Sequence, residues 1–389
     1  MKGIYIILII SILFSNSLEF DNEISTSSGY SSLVDKVRKD VIDEVLLNLP
    51  KREKTDLLKI NTEMSKTKEK YSLNDPESAY LVYKWIAENI EFNFTNPKLN
   101  QSPSSAFKAG KSGSIGITAL FKNMCTFMKI ESGIISGHSK IVYPLDQEEI
   151  VKKLEHNWNY ILIDENYYLI DAAMGSGDSH YIEFEKDYSD FYFGTKPEIF
   201  IHWHFPEDNK WQLLSKTITA QEFTSMPFYF KDFFTVGFKD IEPKTYNITI
   251  KEDSKITLTY NESITDLVAE TSIYTFKFIN GRLDVFKEYK YEDFTISKGK
   301  IELNLTSLDE STLYLGVYKK ILIGTQDNYS ICLVLFKINF PKNMNLFSNK
   351  VFLSKKKDDL KNKNNKGYSF IRNTQNNKRE DASLRKIFK

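Results

Sequence analysis

Two short strand-like runs constrain this chain more tightly than any other stretch of it. Residues 160–163 (Tyr-Ile-Leu-Ile) and 167–170 (Tyr-Tyr-Leu-Ile) are β-branched or aromatic and are divided by Asp164-Glu165, which reads as a hairpin. With a two-residue turn, 163 faces 166, so the numbers of paired positions sum to 329 and His156 lies opposite Ala173. Asp171 stands two residues from Ala173 and shares a face with His156. Diagonal neighbours of this kind lie about 7–8 Å apart at the backbone, close enough for a carboxylate to reach an imidazole. Such a carboxylate would orient the ring through one of its nitrogens.

The segments upstream have helical spacing. Apolar residues recur over 34–49 (Val34, Val37, Val41, Val45, Leu46, Leu49) up to Pro50, and a charged, helix-compatible stretch follows to Lys70. Pro76 opens a helix over 77–90, where Pro is favoured in a first turn. Another helix starts near Ser114, with Ile117, Leu120, Phe121, Met124 and Met128 on one side. Strand-like runs then take over at 134–135, 141–143 and the hairpin. Helices followed by an antiparallel set of strands indicate an α+β domain.

Beyond Pro243 short alternating strands dominate (246–250, 256–260, 272–278, 301–305, 312–317, 331–338), separated by turns such as Asn280-Gly281 and Lys298-Gly299. This density of strands suggests a β-sandwich. The expected divisions are 1–17 as a signal peptide, 18–75 as a linker and helical region, and 76–240 as the α+β domain. A sandwich-like domain over 241–353 and a basic disordered tail over 354–389 complete the chain.

Motifs spread over the α+β region go together. They are Trp85-Ile-Ala-Glu-Asn-Ile90, the block Lys111-Ser-Gly-Ser-Ile-Gly-Ile-Thr-Ala-Leu-Phe121, Ser136-Gly-His-Ser-Lys140, His156-Asn-Trp-Asn159 and Leu169-Ile-Asp171. Together they resemble the transglutaminase-like superfamily. The later block, from Asp190-Phe-Tyr-Phe193 through Pro197-Glu-Ile-Phe-Ile-His202 and His204-Phe-Pro-Glu-Asp208 to Trp211-Gln-Leu-Leu214, looks like the kyphoscoliosis peptidase and hillarin branch. The resemblance covers Pro76 to Phe238 and, more loosely, the β-rich region after it. It implies a papain-like core with a Cys, His and Asp triad, needing no cofactor. Carried over by position, the roles fall on Ser114, His156 and Asp171.

The first of these departs from the pattern. A cysteine works as a thiolate, whose formation a helix N-terminus and an imidazolium favour. A serine hydroxyl has a far higher pKa, and a helix dipole worth at most about 2 kcal/mol does not close that gap. The resemblance with its nucleophile replaced therefore implies a catalytically inactive protein that binds or scaffolds. An active Ser-His-Asp acyl-transfer enzyme, a peptidase or a cross-linking transferase, is the alternative. An adhesion module resting on the β-sandwich is a third reading. Gly113 and Gly116 would let a substrate backbone come close.

Plainer readings stand beside these. Ser114 is also a natural N-cap, although Ile117 denies it a capping box. His156 alone would be a structural histidine, and Asp171 a turn carboxylate. Cys125 lies about three turns into its helix, roughly 16 Å along from Ser114, and is expected in the core. Trp158, Trp203 and Trp211 are expected to pack. His202 and His204 have a spacing that metals use, but the sequence offers no third ligand, so no metal site is expected.

Apolar content of 41% and charge of 27% belong to a globular chain. Net charge is zero, yet 354–389 carries twelve Lys or Arg against four Asp or Glu. That tail favours acidic glycans or acidic membrane surfaces over nucleic acid. The apolar run at 4–14 after Lys2 is too short for a span of about 20 residues and suits a secretory signal, with a signal anchor as the rival. Sequons at Asn93, Asn100, Asn247, Asn261, Asn304 and Asn328 fit an exported glycoprotein. Cys125 and Cys332, the only cysteines, are expected as buried free thiols. A protein partner is expected.

Overall fold

The computed structural model describes residues 31–340 except 32, 141–154, 178–183, 185, 264–269, 280–281, 290–292, 309–313 and 324–326. The expected signal, the basic tail and the run at 141–143 lie outside the described residues.

The N-terminal half is built from helices α1 (Lys39–Asn48), α2 (Leu57–Lys70), α3 (Asp75–Asn89), α4 (Pro103–Ala109) and α5 (Ser114–Phe127). Local chemistry sets their starts. Asn74 caps α3 by accepting from the Glu77 amide while Glu77 accepts from the Asn74 amide, a reciprocal capping box with Pro76 in the first turn. The same buried Glu77 holds Arg38 bidentately, at 2.5 and 2.7 Å. The continuous helix expected over 34–49 is interrupted there. Val34–Lys36 is a 3₁₀ turn, and α1 begins only after Arg38 has turned to Glu77.

Helix α5 packs on a four-stranded sheet of order β5-β4-β3-β6. Its strands are β3 (Glu131–Ser139), β4 (Glu155–Ile163), β5 (Asn166–Ile170) and β6 (His204–Pro206). A small parallel pair, β1 (Glu91–Phe92) with β2 (Lys111–Ser112), precedes α5. The β4–β5 hairpin has the expected register, with Asn159 opposite Ile170 and Tyr160 opposite Leu169. Asp164 and Glu165 both take left-handed φ, 49° and 62°, as a two-residue turn that follows the strand twist requires. Pairing stops at Ile170, so Ala173 faces no residue of β4. It lies instead in a one-turn helix, α6 (Ala172–Gly175).

Two further sheets follow. One has the order β13-β14-β10-β8, from β8 (Phe238–Glu242), β10 (Lys255–Tyr260), β13 (Thr295–Ser297) and β14 (Lys300–Asn304). The other runs β12-β11-β15-β16-β7, from β7 (Phe228–Tyr229), β11 (Thr271–Ile279), β12 (Arg282–Tyr289), β15 (Tyr314–Ile323) and β16 (Asp327–Asn339), with β9 (Asn247–Thr249) against β16. Ile256 and Ile301 of the first share one core with Ile273, Leu315 and Val317 of the second, as in a sandwich. The architecture is α+β. Strands β7 and β8 start before residue 241 yet pair within these C-terminal sheets. The same core includes Trp158 and Leu169 of the first sheet.

Cys125 is a buried free thiol in α5 whose pKa burial pushes up, as befits a core residue. Cys332 lies on β16, and its side chain is outside the described residues.

At the end of β3 the Lys140 ammonium is buried over the Phe223 ring, 4.6 Å from its centroid. Its contact with the Met226 carbonyl is long, 3.4 Å. Burial pushes its pKa down to about 7. The unfolded chain thus holds the extra proton between about pH 7 and the ordinary lysine value, so this residue makes stability rise with pH across that window. Lys140→Met should raise the unfolding midpoint in urea at pH 7, and the slope of stability between pH 7 and 9.5 should flatten.

Candidate active site

Three buried side chains, His156, Asp171 and His204, meet where β4, α6 and β6 come together, and Ser114 at the start of α5 reaches the neighbouring Asn157 of β4. Ser114 is 0% exposed, His156 1%, Asp171 0% and His204 1%, so none faces solvent.

Asp171 is the hub. As the N-cap of α6 its Oδ1 accepts the amides of Ala173 and Met174 at 2.9 and 3.0 Å. Its Oδ2 lies 2.6 Å from His156 Nε2 and 2.8 Å from His204 Nε2. Burial alone would raise its pKa, but the charge and hydrogen bond of His156, followed by those of His204, hold it well below the usual carboxylate range. His204 goes the other way. Burial lowers its pKa against the opposing pull of Asp171, which favours a neutral ring.

The sheet register brings the two histidines together. Gly137 of β3 lies between His156 on β4 and Pro206 on β6, and Ser139 pairs with His204. The two rings share one face, 5.7 Å apart between centroids. A Cβ on Gly137 would stand 2.5 Å from the Trp158 ring and 2.3 Å from the Phe205 carbonyl. Only glycine lets these strands carry both rings and Trp158 so close together. His204 also stacks on Phe200, at 3.8 Å and 13°.

Ser114 is the first residue of α5, and Gly113 is the N-cap, so the N-cap reading of Ser114 does not hold. Its Oγ accepts a long hydrogen bond, 3.4 Å, from Asn157 Nδ2. Asn157 Oδ1 in turn accepts from Ser136 Oγ at 2.9 Å. His156 Nδ1 is buried and has no hydrogen-bond partner among the described residues. Helix and strand are tied nearby by Asn159, whose Nδ2 donates to the carbonyls of Thr118 and Gly133 at 3.1 and 2.9 Å.

The room that Gly113 and Gly116 were expected to leave for a substrate is taken by the chain itself. A Cβ on Gly113 would meet the carbonyl oxygens of Asn96 and Pro97 at 2.3 Å, and one on Gly116 would meet that of Asn100 at 2.0 Å. The Ile115 amide, in the first turn of α5, donates to Pro97 at 3.3 Å, and the Gly113 amide donates to Leu99 at 2.9 Å. Part of the donor set that a helix start offers to an anion is thus already used.

The structure therefore joins His156 to Asp171 and places Ser114 against Asn157. It adds His204, which sequence reasoning set aside with His202. His202 takes no part; it packs on Tyr229 and Phe234, and burial, with Lys140 and Lys244, pushes its pKa down to about 3. One ligand atom each from His156, Asp171 and His204 lies within 4.8 Å of the others, so His204 gathers with His156 and Asp171 and not with His202. The nitrogen–oxygen separations of 2.6 and 2.8 Å are hydrogen-bond lengths. Two ligands of a tetrahedral zinc would stand roughly 3.3 Å apart.

Comparison with known proteins finds several partial matches. The chain is 27% identical over 192 residues to kyphoscoliosis peptidase of Mus musculus, covering 48% of this chain and 29% of that protein. It is 26% identical over 240 residues to the Lim and transglutaminase domain protein ltd-1 of Caenorhabditis elegans, covering 57% of this chain and 31% of that one. Hillarin of Drosophila melanogaster matches at 27% over 180 residues, 42% of this chain and 22% of hillarin. The chain thus spans less than a third of the length of these relatives. No protein-family model matches it.

The ties described here set a stability test. Asn159→Leu leaves two buried carbonyls short of a donor, and each unsatisfied polar group costs about 1–3 kcal/mol. Urea unfolding should show a loss of about 2–6 kcal/mol for the two carbonyls together, while Asn166→Leu, at the exposed start of β5, should change stability by less than about 0.5 kcal/mol.

Proposed function

We propose that this chain, a transglutaminase-like protein of the kyphoscoliosis peptidase and hillarin branch, acts by binding or scaffolding and does not catalyse acyl transfer. The observation that carries this reading is the state of Ser114. A hydroxyl stands where the resemblance places the attacking thiol, and its hydrogen bond runs to the amide of Asn157. Serine becomes a nucleophile only when a base takes its proton in the transition state. His156 Nδ1 makes no hydrogen bond to it. Ser114 is also fully buried, and the 96–100 segment occupies the approach that a substrate backbone would use.

The alternative is acyl transfer by Ser114, His156 and Asp171. It draws on the 2.6 Å contact between His156 and Asp171, which keeps an oriented imidazole in place. The proposal extends to export through a secretory signal at 1–17, with the basic tail meeting acidic glycans or membrane surfaces and a protein as the partner. Of the sequons, Asn247 and Asn304 are exposed. Asn100 gives its amide nitrogen to the Lys111 carbonyl at 2.7 Å, so it is the least suited to carry a glycan.

Activity-directed labelling separates the two readings. The unmodified protein should take up neither a fluorophosphonate nor an iodoacetamide probe at the site, before or after brief incubation with candidate peptides. Fluorophosphonate labelling that maps to Ser114 and disappears in His156→Ala would establish the acyl-transfer reading instead.

A further inference from the structure

The stack on Phe200 and the edge of Trp158, 4.9 Å away, hold the His204 ring without calling on a nitrogen, and the Phe200 main chain adds only a weak pull on it. Its Nε2 nonetheless points at the oxygen of Asp171 that His156 also uses. An ionised carboxylate only accepts, so both rings must present Nε2–H to it. A neutral imidazole carries one N–H, which leaves Nδ1 of His156 as a bare lone pair. A carboxylate held through Oδ1 alone by the Ala173 and Met174 amides would be free to tilt, and its hold on His156 would loosen with it.

We propose that His204 is a positioning residue: by fixing Asp171 Oδ2 it sets the plane of the carboxylate and locks His156 in the Nε2–H tautomer. Burial, which favours the neutral form of His204, keeps it a donor that brings no positive charge of its own to the pair of His156 and Asp171. The inference rests on the hydrogen-bond geometry and holds whether or not the pocket turns over a substrate, so its failure is separate from failure of the proposed function.

Histidine tautomers are read directly from ring ¹⁵N shifts of protein labelled in its five histidines. In the unmodified protein both His156 and His204 should be pure Nε2–H tautomers, and an Nδ1–H tautomer of His204 would overturn the proposal at once. His204→Phe preserves the stack on Phe200 but removes the donor. In that variant a second His156 tautomer should rise to on the order of a tenth of the molecules. Exchange of the His156 Nε2 proton should quicken by about tenfold. His204→Gln, which can return an N–H to Asp171, should restore the single tautomer, a result that mere filling of the space would not produce. An unchanged His156 tautomer and exchange rate in His204→Phe would contradict the role.

Discussion

The buried carboxylate of Asp171 is the interaction on which the site depends. It accepts from four donors, two main-chain amides and two imidazoles. An ionised group cannot sit at zero exposure without such compensation. Each hydrogen bond to a charged group is worth about 1.5–3 kcal/mol, and together they offset its desolvation. Three elements meet through this one side chain: the end of the hairpin, the start of α6, and β6 arriving from much later in the chain. The strands that carry the donors are aligned by β3, whose Gly137 leaves room for Trp158 and for the backbone of β6.

Around that anchor the start of α5 is less ready for chemistry than the imidazole is. Helix N-termini attract anions because their first amides lack partners. Here the 96–100 segment lies against that terminus, and the Ile115 amide is committed to Pro97. Among the described residues Ser114 Oγ meets a long amide contact from Asn157. The imidazole and carboxylate hold each other at 2.6 Å, while among the described residues no base is bonded to the Ser114 hydroxyl.

Some of this arrangement was legible in the sequence. The hairpin register followed from a two-residue turn, since alternation of side chains leaves no freedom once the turn is fixed. It put His156 and Asp171 on one face, although the strand stops at Ile170 and the last step is made by a helix cap. Other features were hidden because they depend on contacts distant in sequence. His204 reaches the site only through the pairing of β6 with β3, which no local pattern announces. The break before α1 comes from Arg38 reaching Glu77, an ion pair across the first helices. The glycines at 113 and 116 marked a close approach correctly, but which backbone approaches was not written in their neighbours.

A site suited to sulfur and occupied by oxygen is the core of the proposed function. Restoring sulfur tests it most directly, by following the ultraviolet absorbance of the thiolate against pH in Ser114→Cys, a readout that needs no reagent to enter the buried pocket. The account predicts a thiol that ionises below the usual cysteine range, with the shift lost when His156→Ala or Asp171→Asn is added. A thiol at that position that ionises at or above that range, or one indifferent to both changes, would contradict it.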